Sequence, residues 1–397
     1  MQQPVVRAHT LRRVLLGATL AAGLAGLALQ IHLLAGKGVL PVNDFVEYWA
    51  AARLNLGSGN PYAPDQLLAL ERQAGAPYAI PNILWYPPYV LPILMPFGLL
   101  AFRTGQLVWL TFHLGVVLLC GDWVWRYYGG PKTYRWLAWL ISLCFAPTWY
   151  ALLGGQISPL LLLGIVGFLY FEGERRNTLA GASILLVAIK PQLLYLFWIA
   201  ATLWVIDRRR WAVVIGAVLA VAAGTGIALI VNPSVLAQFA RMMSGGLPGY
   251  WITPTFGAML RLLAGWDRFW LQFVPMGAGL VWLAFRWGRH RKTWSWAEEM
   301  PVLLLASVIT TPYGWAQDQV VLLLPVLRTT VWLFEKRAVS RAIPVLALYV
   351  LANLLGLNAA NLPVENYLLH VWVPPLLALC YWLAGRDRQV LEAARST

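Results

Sequence analysis

The sequence predicts an all-α integral membrane protein with about twelve transmembrane helices. Of its 397 residues, 60% are hydrophobic and only 12% are charged, whereas a soluble domain carries roughly 25% charged residues. Apolar runs recur from one end of the chain to the other. Such runs must be helical in hydrocarbon, because no water is present there to satisfy their backbone groups. Basic residues lie in short segments between the runs, which is typical of cytoplasmic loops.

The net charge of +14 does not indicate a nucleic-acid partner, because the charges are placed beside the ends of apolar runs. The basic clusters are Arg7/Arg12/Arg13, Arg208–Arg210, Arg286–Lys292, Lys336–Arg341 and Arg386/Arg388. This is the positive-inside pattern, which sets the orientation of membrane helices. We therefore predict a multi-pass protein of the plasma (inner) membrane with no nucleic-acid partner.

The predicted elements follow one another within a single membrane domain, 1–397. The first span runs from about Val14 to Gly36, with basic residues at its cytoplasmic start. A polar, aromatic-rich first outward loop occupies 37–85, and a second outward loop occupies 232–268. The remaining apolar runs are 87–102, 105–125, 136–151, 157–171, 178–206, 211–231, 269–287, 300–312, 316–334, 342–358 and 367–384.

Prolines interrupt two of these runs. Lys190-Pro191 divides 178–206, and proline can break a helix because it lacks a backbone donor. We expect two short half-helices there. The run 87–102 contains four prolines and is expected to be irregular. Splitting 178–206 gives thirteen runs, but two cytoplasmic termini require an even number, so about twelve spans remains the prediction.

The segment NDFVEYWAAARLNLGSGNPY (43–62) predicts a helix in the first outward loop. Its apolar side chains recur at helical spacing, namely Phe45, Tyr48, Trp49, Ala52 and Leu56. This spacing predicts an amphipathic helix on the outer membrane surface. Asp44 and Glu47 have the spacing of a capping box. A cap and a functional carboxylate are both open for Asp44, since one oxygen can cap while the other faces a cleft.

Polar groups that could carry chemistry are few. The carboxylates expected near the outer face are Asp44, Glu47, Asp65, Glu71, Asp267, Asp318 and Glu365. Gln156 lies in GGQIS (154–158) between apolar runs, and Lys190 lies within a long apolar run. Intramembrane ionisable residues often face a cavity or a charge partner. Lys190 could meet an anionic phosphate, or it could snorkel to the membrane interface.

Several catalytic and binding motifs are absent from the sequence. It contains no GxxxxGK[ST], GxGxxG, HExxH, CxxC or DxD pattern. Without DxD there is no evident site for a metal-bound nucleotide sugar, so we predict no metal and no cofactor. A transferase built on this sequence would use a donor already resident in the membrane.

Four segments together resemble glycosyltransferase family 87 of the GT-C superfamily. They are NDFVEYWAAARLNLGSGNPY, YPPYVLPILMPFGLL, GGQISPLLLLGI and AIKPQLL, in the family's order within 10–385. The resemblance implies a GT-C-type polytopic bundle with its catalytic carboxylate in the first outward loop. Asp44 with Tyr48 matches the family's D-x-x-x-Y context, and Gln156 and Lys190 match recurring family positions.

The resemblance also implies a reaction. It is the inverting transfer of a hexose, with mannose the first choice, from a polyprenyl-phosphate sugar donor to a lipid or glycolipid acceptor at the outer face. Asp44 would be the catalytic base. The substrate-binding candidates are Glu47, Tyr48, Tyr62, Tyr86, Gln156 and Lys190. A cation, either Lys190 or Arg241 or Arg261, would stabilise the leaving phosphate.

Other functions fit the same composition. A transporter or flippase of lipid-linked saccharides would share the outer cleft and the buried polar groups but would need no base. A polymerase or ligase that joins glycans to lipid or protein would share the topology. The aromatic segments NPY (60–62) and WYPP (85–88) are consistent with turns and membrane anchoring, or with an aromatic wall for a sugar ring.

Overall fold

The structure is a computed structural model that describes residues 41–246, 251–335, 339–359 and 368–396. The predicted first span (14–36) and Glu365 lie outside the described residues. In the described part of the chain, helices are the regular secondary structure: they account for 78%, and there is no strand. The all-α prediction is therefore confirmed.

In chain order, the α-helices are α1 (Phe45–Leu56), α2 (Pro64–Gln73), α3 (Leu91–Gly98), α4 (Phe102–Tyr127), α5 (Trp136–Cys144), α6 (Ala146–Leu153), α7 (Ser158–Gly173), α8 (Asn177–Val187), α9 (Tyr195–Arg208), α10 (Trp211–Val231), α11 (Val235–Ser244), α12 (Phe256–Ala264), α13 (Val274–His290), α14 (Trp296–Thr310), α15 (Leu323–Glu335), α16 (Val339–Ala359) and α17 (Val373–Ser396). Short 3-10 segments lie between some of them, at Pro88–Val90, Lys132–Tyr134, Phe269–Phe273, Arg291–Thr293, Ala316–Leu322 and Leu368–Trp372.

Three helical segments of the described chain are long and apolar enough to cross a membrane: Phe102–Tyr127, Trp211–Val231 and Leu368–Gly385. Lys132–Cys144 and Ala146–Leu153, bent by 59°, add a fourth if they form one broken span. The predicted figure of about twelve spans is not confirmed. Most of the predicted runs form helices shorter than the roughly 20 residues that cross a bilayer unaided.

Proline explains where the helices break. The run 178–206 divides into α8 and α9, with Lys190 and Pro191 between them, as predicted. The run 87–102 forms a 3-10 turn followed by the short helix α3, and it is irregular as expected. The run 136–151, predicted as one span, divides at Phe145 into α5 and α6. Pro147 lies in the first turn of α6, where a proline leaves no backbone acceptor unpaired.

The predicted helix after Asp44 is α1, but its surroundings differ from the prediction. Phe45, Tyr48 and Trp49 are buried, and so is the run Ala50–Ala52. The Phe45 ring lies 5.4 Å from that of Trp109 on α4. α1 is thus enclosed by protein and is not a surface helix. α2, which buries only Leu67 and Glu71, is the amphipathic helix of this loop.

Consecutive helices α7 and α8 form a tight antiparallel pair. A Cβ at Gly164 would lie 2.9 Å from the Cβ of Leu186, and one at Gly167 would lie 2.9 Å from the hydroxyl of Ser183. Only glycine lets the helices approach this closely, as in other membrane helix pairs. The antiparallel pairing places the start of α7 beside the end of α8.

α10 packs against α8 just as closely. A Cβ at Gly216 would lie 1.9 Å from the carbonyl oxygen of Thr178, and one at Gly181 would lie 1.9 Å from that of Val213. Backbone cannot yield as a flexible side chain can, so any larger residue must push the helices apart. The α8–α10 contact therefore fixes the distance between these two helices.

Gly216→Ala should destabilise the protein, whereas Gly226→Ala on the same helix should not. No atom lies within 4 Å of a Cβ at Gly226. Overpacking at Gly216 should lower the free energy of unfolding by about 1–3 kcal/mol, while alanine at Gly226 should be neutral or add up to about 1 kcal/mol. Thermal unfolding of the two purified variants in detergent would test this. Equal midpoints would contradict the close contact between α8 and α10.

Candidate active site

Three chain segments meet at the amide of Gln156, and a fourth joins them through Lys190. Its Nε2 donates a hydrogen bond to Oδ2 of Asp44, at the start of α1. Its Oε1 accepts from the hydroxyl of Tyr48 at 3.4 Å and from Nζ of Lys190 at 3.5 Å. Lys190 in turn contacts Asp318, in the 3-10 segment Ala316–Leu322. We call Asp44, Tyr48, Tyr86, Gln156, Ser158, Lys190 and Asp318 the polar network.

The GGQIS motif shapes this meeting point. Gly155 has a φ of +66°, a conformation that favours glycine, and a Cβ there would lie 2.6 Å from the Asn43 side-chain oxygen. The carbonyl of Gly155 accepts from the indole of Trp109 at 2.8 Å, and that of Gly154 accepts from the backbone N–H of Asp44 at 3.1 Å. The turn thus presents Gln156 to Asp44.

Asp44 occupies the N-cap position of α1, but its side chain makes no capping hydrogen bond. The expected capping box is therefore wrong. A local bond instead joins the backbone N–H of Phe45 to the side-chain oxygen of Asn43. Gln156 holds Oδ2 of Asp44. Among the described residues Oδ1 has no hydrogen-bond partner, and Asp44 is partly exposed.

Asp44 and Glu47 lie in different electrostatic surroundings. Burial raises the pKa of Asp44 above its ordinary value, while the hydrogen bond from Gln156 and the positive charge of Lys190 act in the opposite direction. Burial raises the pKa of Glu47 well above its ordinary value, and repulsion by Asp44 and Glu71 adds to this shift. No side chain of the described chain donates a hydrogen bond to Glu47. Asp44 is the carboxyl better suited to ionise.

Lys190 is not a snorkelling lysine. Its Nζ lies 2.6 Å from Oδ1 of Asp318, with the two side chains 5% and 1% exposed. Asp318 also accepts from the Ser158 hydroxyl at 2.5 Å and from the backbone N–H of Trp315 at 3.0 Å. A buried charge pair of this kind persists only when its remaining hydrogen-bonding groups are also satisfied. The charge of Lys190 is therefore shared with Asp318.

The three tyrosines have different positions. The hydroxyls of Tyr48 and Tyr86 lie 3.5 Å apart, which extends the polar network toward the partly exposed Tyr86. Tyr62 is 2% exposed. Its hydroxyl donates to the carbonyl of Tyr86 at 3.1 Å, and its ring packs 5.3 Å from that of Phe239. Tyr62 thus braces the segment that carries Tyr86.

The two arginines of the second outward loop lie outside the polar network. Arg261 is 3% exposed and donates to the carbonyl of Trp266 at 2.8 Å and to Gln272 at 3.2 Å, so its guanidinium is engaged within its own loop. Arg241 is exposed on α11. As for metals, no group of three or more His, Cys, Asp or Glu side chains within the described ranges could hold an ion.

The structure brings together five of the predicted site residues, namely Asp44, Tyr48, Tyr86, Gln156 and Lys190. Glu47 and Tyr62 adjoin this group without joining it. Sequence reasoning did not include Ser158 or Asp318 in the site. A lysine in an apolar run often has a charge partner, and Asp318 was among the few carboxylates expected at the outer face. The Lys190–Asp318 pair could therefore have been predicted from the sequence.

The comparisons with known proteins concern part of the chain. A sequence model of Glycosyltransferase family 87 matches residues 84–312, which is more than half of the 397 residues. Tyr86, Gln156 and Lys190 lie in the matched region, whereas Asp44 precedes it and Asp318 follows it. No curated protein and no solved structure matches the chain. The chain belongs to glycosyltransferase family 87, which implies a membrane glycosyltransferase.

Proposed function

We propose that this chain transfers a hexose, mannose first among the candidates, from a polyprenyl-phosphate sugar to a lipid or glycolipid acceptor at the outer face of the plasma membrane, with inversion. One observation carries the proposal. Asp44 has one carboxylate oxygen fixed by Gln156 and a second oxygen without a partner among the described residues. A general base needs this arrangement, because its orientation must be fixed while one oxygen stays free to take a proton.

In the proposed reaction, Oδ1 of Asp44 accepts the proton of an acceptor hydroxyl. The hydroxyl oxygen attacks the anomeric carbon, and the bond from that carbon to the phosphate oxygen breaks on the opposite face. The electron pair leaves with the polyprenyl phosphate. This leaving group is already anionic and stable, so it needs charge stabilisation and positioning more than protonation.

Lys190 acts in this proposal as a positioning residue. Its charge is paired with Asp318, and its Nζ contacts Oε1 of Gln156. It therefore orients the amide that holds Asp44. The hydroxyl of Tyr48 donates to Gln156, whereas that of the partly exposed Tyr86 is a donor that could reach a phosphate or sugar oxygen. A transporter of lipid-linked saccharides would have no use for a fixed base.

Asp44→Asn should abolish transfer without unfolding the protein. Asparagine keeps an oxygen that can accept from Gln156, but it cannot take a proton, and loss of a general base lowers rates by about 10²–10⁴-fold. The measurement is product formation from a radiolabelled polyprenyl-phosphate hexose and candidate lipid acceptors, using purified protein in detergent. In detergent no membrane separates two compartments, so a transporter would form no product in this assay.

Glu47→Gln is the matched control, because it also neutralises a partly buried carboxyl, on the same turn of α1. It should transfer within a few-fold of wild type. If Asp44→Asn were as active as Glu47→Gln, Asp44 would not be the base. Asp318 would then be the next carboxylate to test.

The pH dependence of the transfer rate should change when Gln156 is replaced. A base works only when ionised, so the rate falls as pH decreases through the pKa of Asp44. The hydrogen bond from Gln156 lowers that pKa. Gln156→Met should therefore raise it and move the acid limb of the kcat/KM profile to higher pH. An acid limb at the same pH in wild type and variant would show that the limb belongs to another group.

Lys190→Met should destabilise the protein by about 3–5 kcal/mol, because it leaves Asp318 buried without its charge partner. The double variant Lys190→Met/Asp318→Asn removes both charges and should recover most of the free energy of unfolding. If Lys190 positions Gln156, the folded double variant should transfer sugar more slowly than wild type, even though its stability is restored. Wild-type rates in the double variant would restrict Lys190 to a structural role.

A further inference from the structure

Four aromatic side chains from three separate segments gather beside the polar network. The indole of Trp251 is the hub, with ring centroids 5.5 Å from Trp85, 5.4 Å from Trp315 and 6.5 Å from Tyr313. All four rings are partly exposed. The contacts are edge-to-face, with interplanar angles of 71° to 89°. We call Trp85, Trp251, Tyr313 and Trp315 the outer aromatic cluster.

The rings of the outer aromatic cluster are only partly covered by protein, and their polar atoms are open as well. Within the described chain, the indole N–H groups of Trp85, Trp251 and Trp315 and the hydroxyl of Tyr313 make no hydrogen bond, and none of these atoms is sealed from solvent. Trp and Tyr usually pair their polar atoms when they are buried. Four open donors beside partly exposed rings therefore form a surface with both apolar and polar character.

The outer aromatic cluster adjoins the proposed reaction centre at two points. The backbone N–H of Trp315 donates to Asp318 at 3.0 Å, and Nζ of Lys190 lies 5.7 Å from the centre of the Trp315 ring. Trp85 directly precedes Tyr86, whose hydroxyl contacts that of Tyr48. A ligand on the cluster would therefore border the polar network.

We infer that the outer aromatic cluster is a carbohydrate-binding subsite that holds one pyranose ring. A pyranose has a C–H face that packs on an indole, and its hydroxyls accept hydrogen bonds from indole N–H and phenol O–H groups. An isoprenoid or acyl chain would cover the rings but leave all four donors unsatisfied, at a free-energy cost for each. This inference rests on the proposed function for its role in transfer, because it assigns a place to one sugar of that reaction.

Saturation-transfer NMR on the full-length protein in detergent tests the subsite without requiring turnover. The probes are methyl α-mannopyranoside, methyl α-glucopyranoside and farnesyl phosphate. Wild type should transfer saturation to the C–H protons of at least one glycoside, and Trp251→Leu should reduce that signal by about five- to tenfold, as expected for loss of a central ring. The farnesyl phosphate signal should not change.

Trp270→Leu is the matched control, since Trp270 is 64% exposed and lies outside the cluster. It should keep the glycoside signal, and thermal unfolding of both leucine variants should verify that they are folded. The inference would be overturned if wild type gave no glycoside signal or if both leucine variants lost that signal equally. It would also be overturned if Trp251→Leu lost the farnesyl phosphate signal and kept the glycoside signal. Asp44→Asn should keep the glycoside signal even though it loses transfer, so failure of the base and failure of the subsite can be told apart.

The transfer assay then identifies which substrate supplies the sugar. If the donor sugar lies on the outer aromatic cluster, Trp251→Leu should raise the KM for the polyprenyl-phosphate hexose. If the sugar of a glycolipid acceptor lies there, the KM for that acceptor should rise instead. Unchanged KM values for both substrates in a folded Trp251→Leu variant would exclude the cluster from the reaction.

Discussion

Lys190 and Asp318 are buried together, 2.6 Å apart, and neither charge has enough water around it to solvate it. Each must be satisfied by the other and by fixed hydrogen bonds. The hydroxyl of Ser158 and the backbone N–H of Trp315 also donate hydrogen bonds to Asp318. Nζ of Lys190 also donates to Oε1 of Gln156. The two charges are 128 residues apart in the chain. The pair therefore ties the break between α8 and α9 to the segment before α15, and it holds the Lys190 ammonium against Gln156.

This pair needs a rigid frame, and small residues supply it. Glycines at the α7–α8 and α8–α10 contacts let the helices come close together, which sets the position of α8 between its neighbours. Gly155 adopts a positive φ where Asn43 and the start of α1 come close. As a result, Gln156 is held from both sides, by a tight turn and by Lys190. The orientation of Asp44 follows from that of Gln156, because theirs is the hydrogen bond that the Asp44 carboxylate makes within the described part of the chain.

Features that depend on neighbours in the sequence could be predicted. These include the start of α1 and the break at Lys190-Pro191, since helical spacing and proline chemistry are local. Contacts such as Asp44 with Gln156, 112 residues apart, could not, because periodicity does not say which helices meet. The span count was not confirmed for a related reason, since hydrophobicity does not show that a run bends at Phe145. The run Ala50–Ala52 did hint at the enclosure of α1, because small residues allow close packing on every side.

The two carboxyls of α1 show how the surroundings can select one base from two similar groups. Asp44 and Glu47 lie one helical turn apart and repel each other, so both cannot easily be ionised in partly buried positions. Lys190 favours the charged form of both carboxyls, but among the described residues Asp44 alone of the two accepts a side-chain hydrogen bond, from Gln156. In the proposed reaction this difference matters twice. It makes Asp44 the more readily ionised of the two carboxyls, as a base must be, and it disfavours a second negative charge beside a donor whose phosphate is itself an anion.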